Sequence, residues 1–160
     1  ISSAASDVYK RQGHTKTRLA RAKELARETP TADGGTLLED PLFAARLAEI
    51  ENELLALELT QLRVAASSAD GKPNPASSLL KLKGSQLQQA ATELIADIAG
   101  QDSLPVSGIE AGAANGTADV AAPEWAQLSA PTYLNYRKVS IYGGSSEVQR
   151  QIIDKAVLGL

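Results

Sequence analysis

The chain has 160 residues, of which 43% are hydrophobic and only 4% aromatic, with a formal net charge of −3 and neither cysteine nor methionine. That length suffices to bury the core of one domain, while the acidic balance excludes a broad basic field for nucleic acid or an anionic membrane, and the missing cysteine excludes disulfide staples and thiolate metal sites. No window approaches the roughly 18 to 20 continuous apolar residues of a membrane span, so the chain reads as cytoplasmic, with no nucleic acid and no membrane among its partners.

In chain order, residues 1–12 (Ile-Ser-Ser-Ala-Ala-Ser-Asp-Val-Tyr-Lys-Arg-Gln) resemble translated adapter read-through. With no methionine at the start they are set outside the fold, as an artefactual or disordered tail ahead of a domain at 13–160, and further sequence upstream is expected. A genuine flexible tail is the alternative. His14 to Glu28 are strong helix formers, with Leu19, Ala22, Leu25 and Ala26 at helical spacing and Thr29-Pro30 as the stop; they read as the tail of a longer helix. Asp33-Gly34-Gly35 supplies a turn. Asp40 before Pro41 is a good N-cap followed by a residue preset to helical φ, so a second helix is predicted from there to about Ala66, on a stripe of Leu42, Phe43, Leu47, Ile50, Leu54, Leu57 and Leu62.

Ser67 to Pro75 must turn, and a third helix is predicted from Ser77 to about Gly100, burying Leu79, Leu82, Leu87, Ala91, Leu94, Ile95 and Ile98. Gly84 within it suggests a close helix crossing, since glycine otherwise costs about 1 kcal/mol in a helix interior. Residues 101–123 are glycine-rich and small, with too little apolar surface to offset ordering entropy, and read as a mobile excursion. A helix from Ser129 or Pro131 to Ser140, a Gly143-Gly144 break and a last helix from Ser146 towards Leu158 complete the chain. The economical architecture is all-α, an antiparallel four-helix bundle.

The chemistry concentrates in the helix, glycine turn and helix between Tyr133 and Leu160. Ser146 with Gln149 fits a capping box and leaves the Ser145 hydroxyl at the positive end of a helix, where phosphate or a cofactor's polar groups can bind. A plain turn with both serines capping satisfies the same spacing. The stretch resembles the closing signature of acyl-CoA dehydrogenases, Ile-Tyr-(Glu/Gly)-Gly-(Thr/Ser)-x-(Glu/Gln)-Ile-Gln-Arg followed by Ile-Ile and a terminal Leu-Gly. Here it runs from Ile141 through Arg150, then Ile152-Ile153 and Leu158-Gly159-Leu160. Glu39-Asp40-Pro41 and Lys81 to Gln89 resemble the rest of that family's C-terminal helical domain less sharply.

The resemblance implies a fragment of an FAD-dependent enzyme that oxidises an acyl-CoA thioester across its α and β carbons, forming homodimers or homotetramers, its electron acceptor unspecified. It implies that Ser145 and Glu147 contact the cofactor's adenosine and phosphate side, and that Tyr142 and Gly144 border the acyl-thioester pocket. Glu147 reads equally well as a solvated helix residue. Many family members carry the catalytic glutamate where this chain has Gly143, and glycine takes no proton. No catalytic base is therefore assigned, the fragment alone is expected to be inactive, and a non-catalytic bundle subunit that pairs with a catalytic partner stands as the alternative. Asp97 has the wrong sign to face a diphosphate. His14 lacks a partner at metal-ligand spacing and reads as solvated, with no metal implied. Trp125 reads as packing the irregular segment onto the bundle, and Glu49, Glu51 and Glu53 as a solvated helix face.

Overall fold

A computed structural model describes residues 3–67, 74–104 and 122–160, except for the side chains of 3–12 and of Val157. The described residues are helical, and their single β-type contact is an isolated bridge between Pro30 and Thr36. Helix α1 spans Ser3–Glu28, α2 Pro41–Ser67 and α3 Ser77–Ala99; then come the short α4 Glu124–Gln127, α5 Ser129–Tyr136 and α6 Ser146–Ile153. The backbone of α1 thus continues unbroken through positions 3–12, which the sequence reading set aside.

Ion pairs record how the helices run. Lys16 meets Glu58 at 2.6 Å and Lys23 meets Glu51 at 2.5 Å, so rising numbers on α1 face falling numbers on α2. Lys83 to Glu53 at 2.8 Å and Arg46 to Glu93 at 3.7 Å set α2 against α3 in the same sense. Gln89 reaching Tyr136 while Ser85 reaches Val139 makes α3 antiparallel to the C-terminal run. The antiparallel bundle expected from the sequence is therefore built from α1, α2, α3 and a fourth wall of α5 and α6, with α3 touching all the others.

The core is aliphatic: Leu19, Ala22, Leu25 and Ala26 of α1, Phe43 to Leu57 of α2 at helical spacing, and Leu80, Leu87, Ala91, Leu94 and Ile98 of α3. Two members of the α2 stripe lie elsewhere, for Leu42 is 82% and Leu62 67% exposed. In α3, Leu80 is buried in place of Leu79, one residue round the helix. Asp40 caps α2 as expected, its Oδ1 accepting from the Phe43 N–H at 2.8 Å. Gly84 faces Leu57, but a methyl group added there would sit 3.8 Å from Leu57 Cδ2 in ordinary contact, so the crossing does not require glycine. Beyond α3 a 3-10 turn, Gly100–Ser103, buries Ser103 and gives structure to the start of the predicted excursion; positions 105–121 lie outside the described residues. Trp125 on α4 packs against the core, as expected of it.

Candidate functional site

The corner between α5 and α6 is anchored before it is exposed. Gln89 Nε2 donates to the carbonyls of Tyr136 and Arg137 at 3.3 and 3.2 Å, and Ser85 Oγ to that of Val139 at 3.2 Å. These bonds pin a 3-10 turn, Arg137–Ser140, onto α3 and bury Val139. The chain then emerges: Ile141 is 69% exposed, and Tyr142 and Gly143 lie at the surface.

Gly143 and Gly144 take φ of 70° and 91°, a left-handed region costly for other residues. At Gly144 a Cβ would also meet Nε2 of the buried Gln149, whose side-chain end would have to shift. The space around Gly143 is open, so conformation alone selects glycine there. This geometry changes the expected cap. Ser145, not Ser146, is the N-cap of α6, its Oγ accepting from the Val148 N–H at a long 3.5 Å. Ser146 Oγ donates instead to the Ser140 carbonyl at 3.3 Å, and Gln149 lies under Gly144 rather than closing a capping box.

Glu147 is exposed in the first turn of α6. Its carboxyl is held below the ordinary glutamate value by a hydrogen bond from its own backbone N–H, then by the Ser145 hydroxyl, with the charges of Arg150 and Lys81 adding to the effect. The segment leading into the corner gathers further cations that sequence reasoning missed. Arg18 of α1 donates to the Tyr136 hydroxyl and stacks 4.2 Å from that ring's centre, and Arg137 stacks 4.4 Å from that of Tyr133. Arg18 Nη1 and Arg137 Nε and Nη2 are shielded from solvent, yet make no hydrogen bond among the described residues. A buried charged donor left unmatched costs on the order of 1–3 kcal/mol or more, so these atoms suit an anionic group. The Tyr133 and Arg137 pair was legible as an i, i+4 helix pair; nothing in sequence spacing relates Arg18 to Tyr136, 118 residues away.

Other residues singled out from the sequence fall away from this corner. Asp97 is ion-paired with Arg46 and serves the contact between α2 and α3. His14 is exposed, and no cluster of three or more metal-ligating side chains exists among the described residues. Glu51 and Glu53, read as a solvated face, are tied to Lys23 and Lys83, and Glu49 is left exposed. A groove of about 260 Å³ between α1 and α2 is lined by Lys16, Leu19, Leu55 and Glu58; it belongs to that helix pair and includes no residue of the corner. No helix among the described residues is long and apolar enough to cross a membrane.

The family model for the acyl-CoA dehydrogenase C-terminal domain matches residues 9–158. The chain belongs to this family. Acyl-CoA dehydrogenase IpdE1 of Mycobacterium tuberculosis is 32% identical over 142 residues, covering 89% of this chain and 31% of the relative. IpdE1 of Mycolicibacterium smegmatis is 33% identical over 137 residues, covering 86% and 29%. The chain therefore spans about a third of the length of the curated relatives it matches. Among solved structures, the ChsE4-ChsE5 complex from Mycobacterium tuberculosis superposes with a TM-score of 0.69 at 24% identity, over 91% of this chain and 34% of that one. An electron transferring flavoprotein of Acidaminococcus fermentans gives 0.71 at 18% identity, over 97% and 36%. At these identities the two structures share the fold of the helical domain.

Proposed function

We propose that this chain is the C-terminal part of an FAD-dependent acyl-CoA dehydrogenase, in which the bundle supplies one wall of the flavin site and packs against further copies as a homodimer or homotetramer. The observation that carries the reading is the set of shielded, unmatched guanidinium atoms of Arg18 and Arg137, one on α1 beside Tyr136 and the other on the turn that leads into an exposed glycine corner. Their sign fits the diphosphate of a dinucleotide. Bound there, a flavin supplies the electron sink for removal of hydride from the acyl β-carbon.

The chain's own residues divide the remaining work. Glu147, kept ionised by Ser145 and its own N–H, repels phosphate and accepts from hydroxyl groups, so it and Ser145 are assigned to the adenosine side. Tyr142 and Gly144 are assigned to the border of the acyl-thioester pocket, the missing side chain of Gly144 leaving room for Gln149 beneath the turn. Gly143 offers no carboxylate, so the α-proton goes to a base at another position, and the isolated fragment is inactive.

The complete reading frame, expressed and purified, should show flavin absorbance bands, and Arg137→Ala should lower flavin occupancy while leaving the helical circular dichroism unchanged. Protein that stays colourless after incubation with FAD would overturn the reading. Gly143 specifically favours a second reading, a non-catalytic subunit pairing with a catalytic one; acyl-CoA oxidation that appears only when a second polypeptide is added would select it.

A further inference from the structure

Tyr136, the last residue of α5, is held from two directions. Gln89 of α3 donates to its carbonyl, and Arg18 of α1 donates to its hydroxyl while lying over its ring. The 3-10 turn that follows is fastened through the Val139 carbonyl to Ser85, so the backbone from Tyr136 onward moves with that side chain. Any displacement of Tyr136 is carried along this turn to Ile141 and Tyr142, where the chain emerges.

Arg18 uses one arm on this contact and leaves the other open. Nη2 binds Tyr136, whereas Nη1 is shielded from solvent and makes no hydrogen bond among the described residues. A guanidinium is planar and rigid, so an acceptor on Nη1 also fixes the direction of Nη2. Without an acceptor, the shielded donor carries a desolvation cost that Arg18 escapes only by swinging towards water and releasing Tyr136. With an anion in place, both arms are satisfied together. Arg137 differs, because its stack on Tyr133 lies within one continuous stretch of chain and joins no distant helices.

We infer that Arg18 and Tyr136 are positioning residues that tie occupancy of the anion site to the order of the glycine corner. The inference rests on the flavin reading above and adds its regulation: the diphosphate seats first, the corner tightens, and the acyl-thioester meets a border already formed. By linkage, a ligand that orders the corner strengthens anion binding by the same factor.

Inorganic pyrophosphate is the probe, since it carries the diphosphate without the adenosine assigned to Ser145 and Glu147. Added to this chain at saturation, it should slow amide exchange at positions 141–149 by about fivefold. Tyr136→Phe keeps the ring stack and loses the hydroxyl; it should bind pyrophosphate as tightly by calorimetry, keep its circular dichroism, and lose the slowing. Arg18→Lys retains the charge without the fork, so it too should bind and fail to slow exchange. Arg137→Ala should do the reverse, binding more weakly yet slowing exchange once saturated. No pyrophosphate binding, no slowing in the wild type, or slowing that persists in either Tyr136→Phe or Arg18→Lys would each overturn the link. The flavin reading is decided separately, by whether the complete reading frame takes up FAD.

Discussion

The long helices and the C-terminal corner use similar apolar residues in opposite ways. Across α1, α2 and α3 the leucines and alanines turn inward and bury one another, and the cross-helix ion pairs sit around the edge. In the corner and beyond it Ile141, Val148, Leu158 and Leu160 face solvent, while Gln149 is the buried residue of α6. The first region stabilises itself by removing apolar surface from water. The second is held by hydrogen bonds from Ser85 and Gln89 and by two glycines in a conformation that other residues resist. The corner thus exposes apolar side chains that the bundle itself does not cover.

Substitutions on the two sides of this contrast should differ in size and in reach. The largest effect is expected in the core, where Leu94 is fully buried. Leu94→Ala should cost about 2–5 kcal/mol by the sum of lost transfer energy and a residual cavity, visible as a lower denaturant midpoint for the whole bundle. Gly144→Ala should cost less, about 1–3 kcal/mol, because it combines a positive φ with a clash against Gln149. Its signature should be local, with faster amide exchange in α6 and unchanged protection in α3. Uniform loss across the chain would show that corner and core unfold as one unit.

Glycine in the helical region should behave the other way. Gly84 has room for a methyl group against Leu57, so Gly84→Ala should raise stability by about 0.5–1 kcal/mol; a loss instead would mean that α2 and α3 approach more closely there. The smallest effect is electrostatic. Glu147 has its folded pKa lowered, so its contribution to stability is present above the unfolded value and is lost as pH falls through the folded one. By NMR its titration midpoint should fall below 4.5, the ordinary value against which its carboxyl is lowered, and Ser145→Ala should move it upward. An unchanged midpoint in that variant would remove the serine hydroxyl from the cap.

Much of the fold was legible because helix periodicity, Asp40 before Pro41 and the paired glycines at 143 and 144 are local signals, and each states its own physical reason. The glycine corner could likewise be read as exposed and as the chemically distinctive stretch. Its partners could not, since Arg18 and Lys81 come from helices far away in sequence, and their approach to Tyr136 and Glu147 depends on how α1 and α3 pack.

By itself, then, the sequence determined that the chain is helical, where α2, α3 and α6 begin, and that Gly143 cannot act as a base. Only the tertiary structure decided where the apolar stripe of α2 ends. Leu42 and Leu62 keep the helical spacing of Phe43 to Leu57 yet lie in solvent, and that outcome falls to the faces that α1 and α3 present. It also decided that Ser145 caps α6, because the Ser140 carbonyl takes the Ser146 hydroxyl. Both outcomes follow from contacts between residues distant in the chain or across a turn, where a one-dimensional pattern carries no distance information.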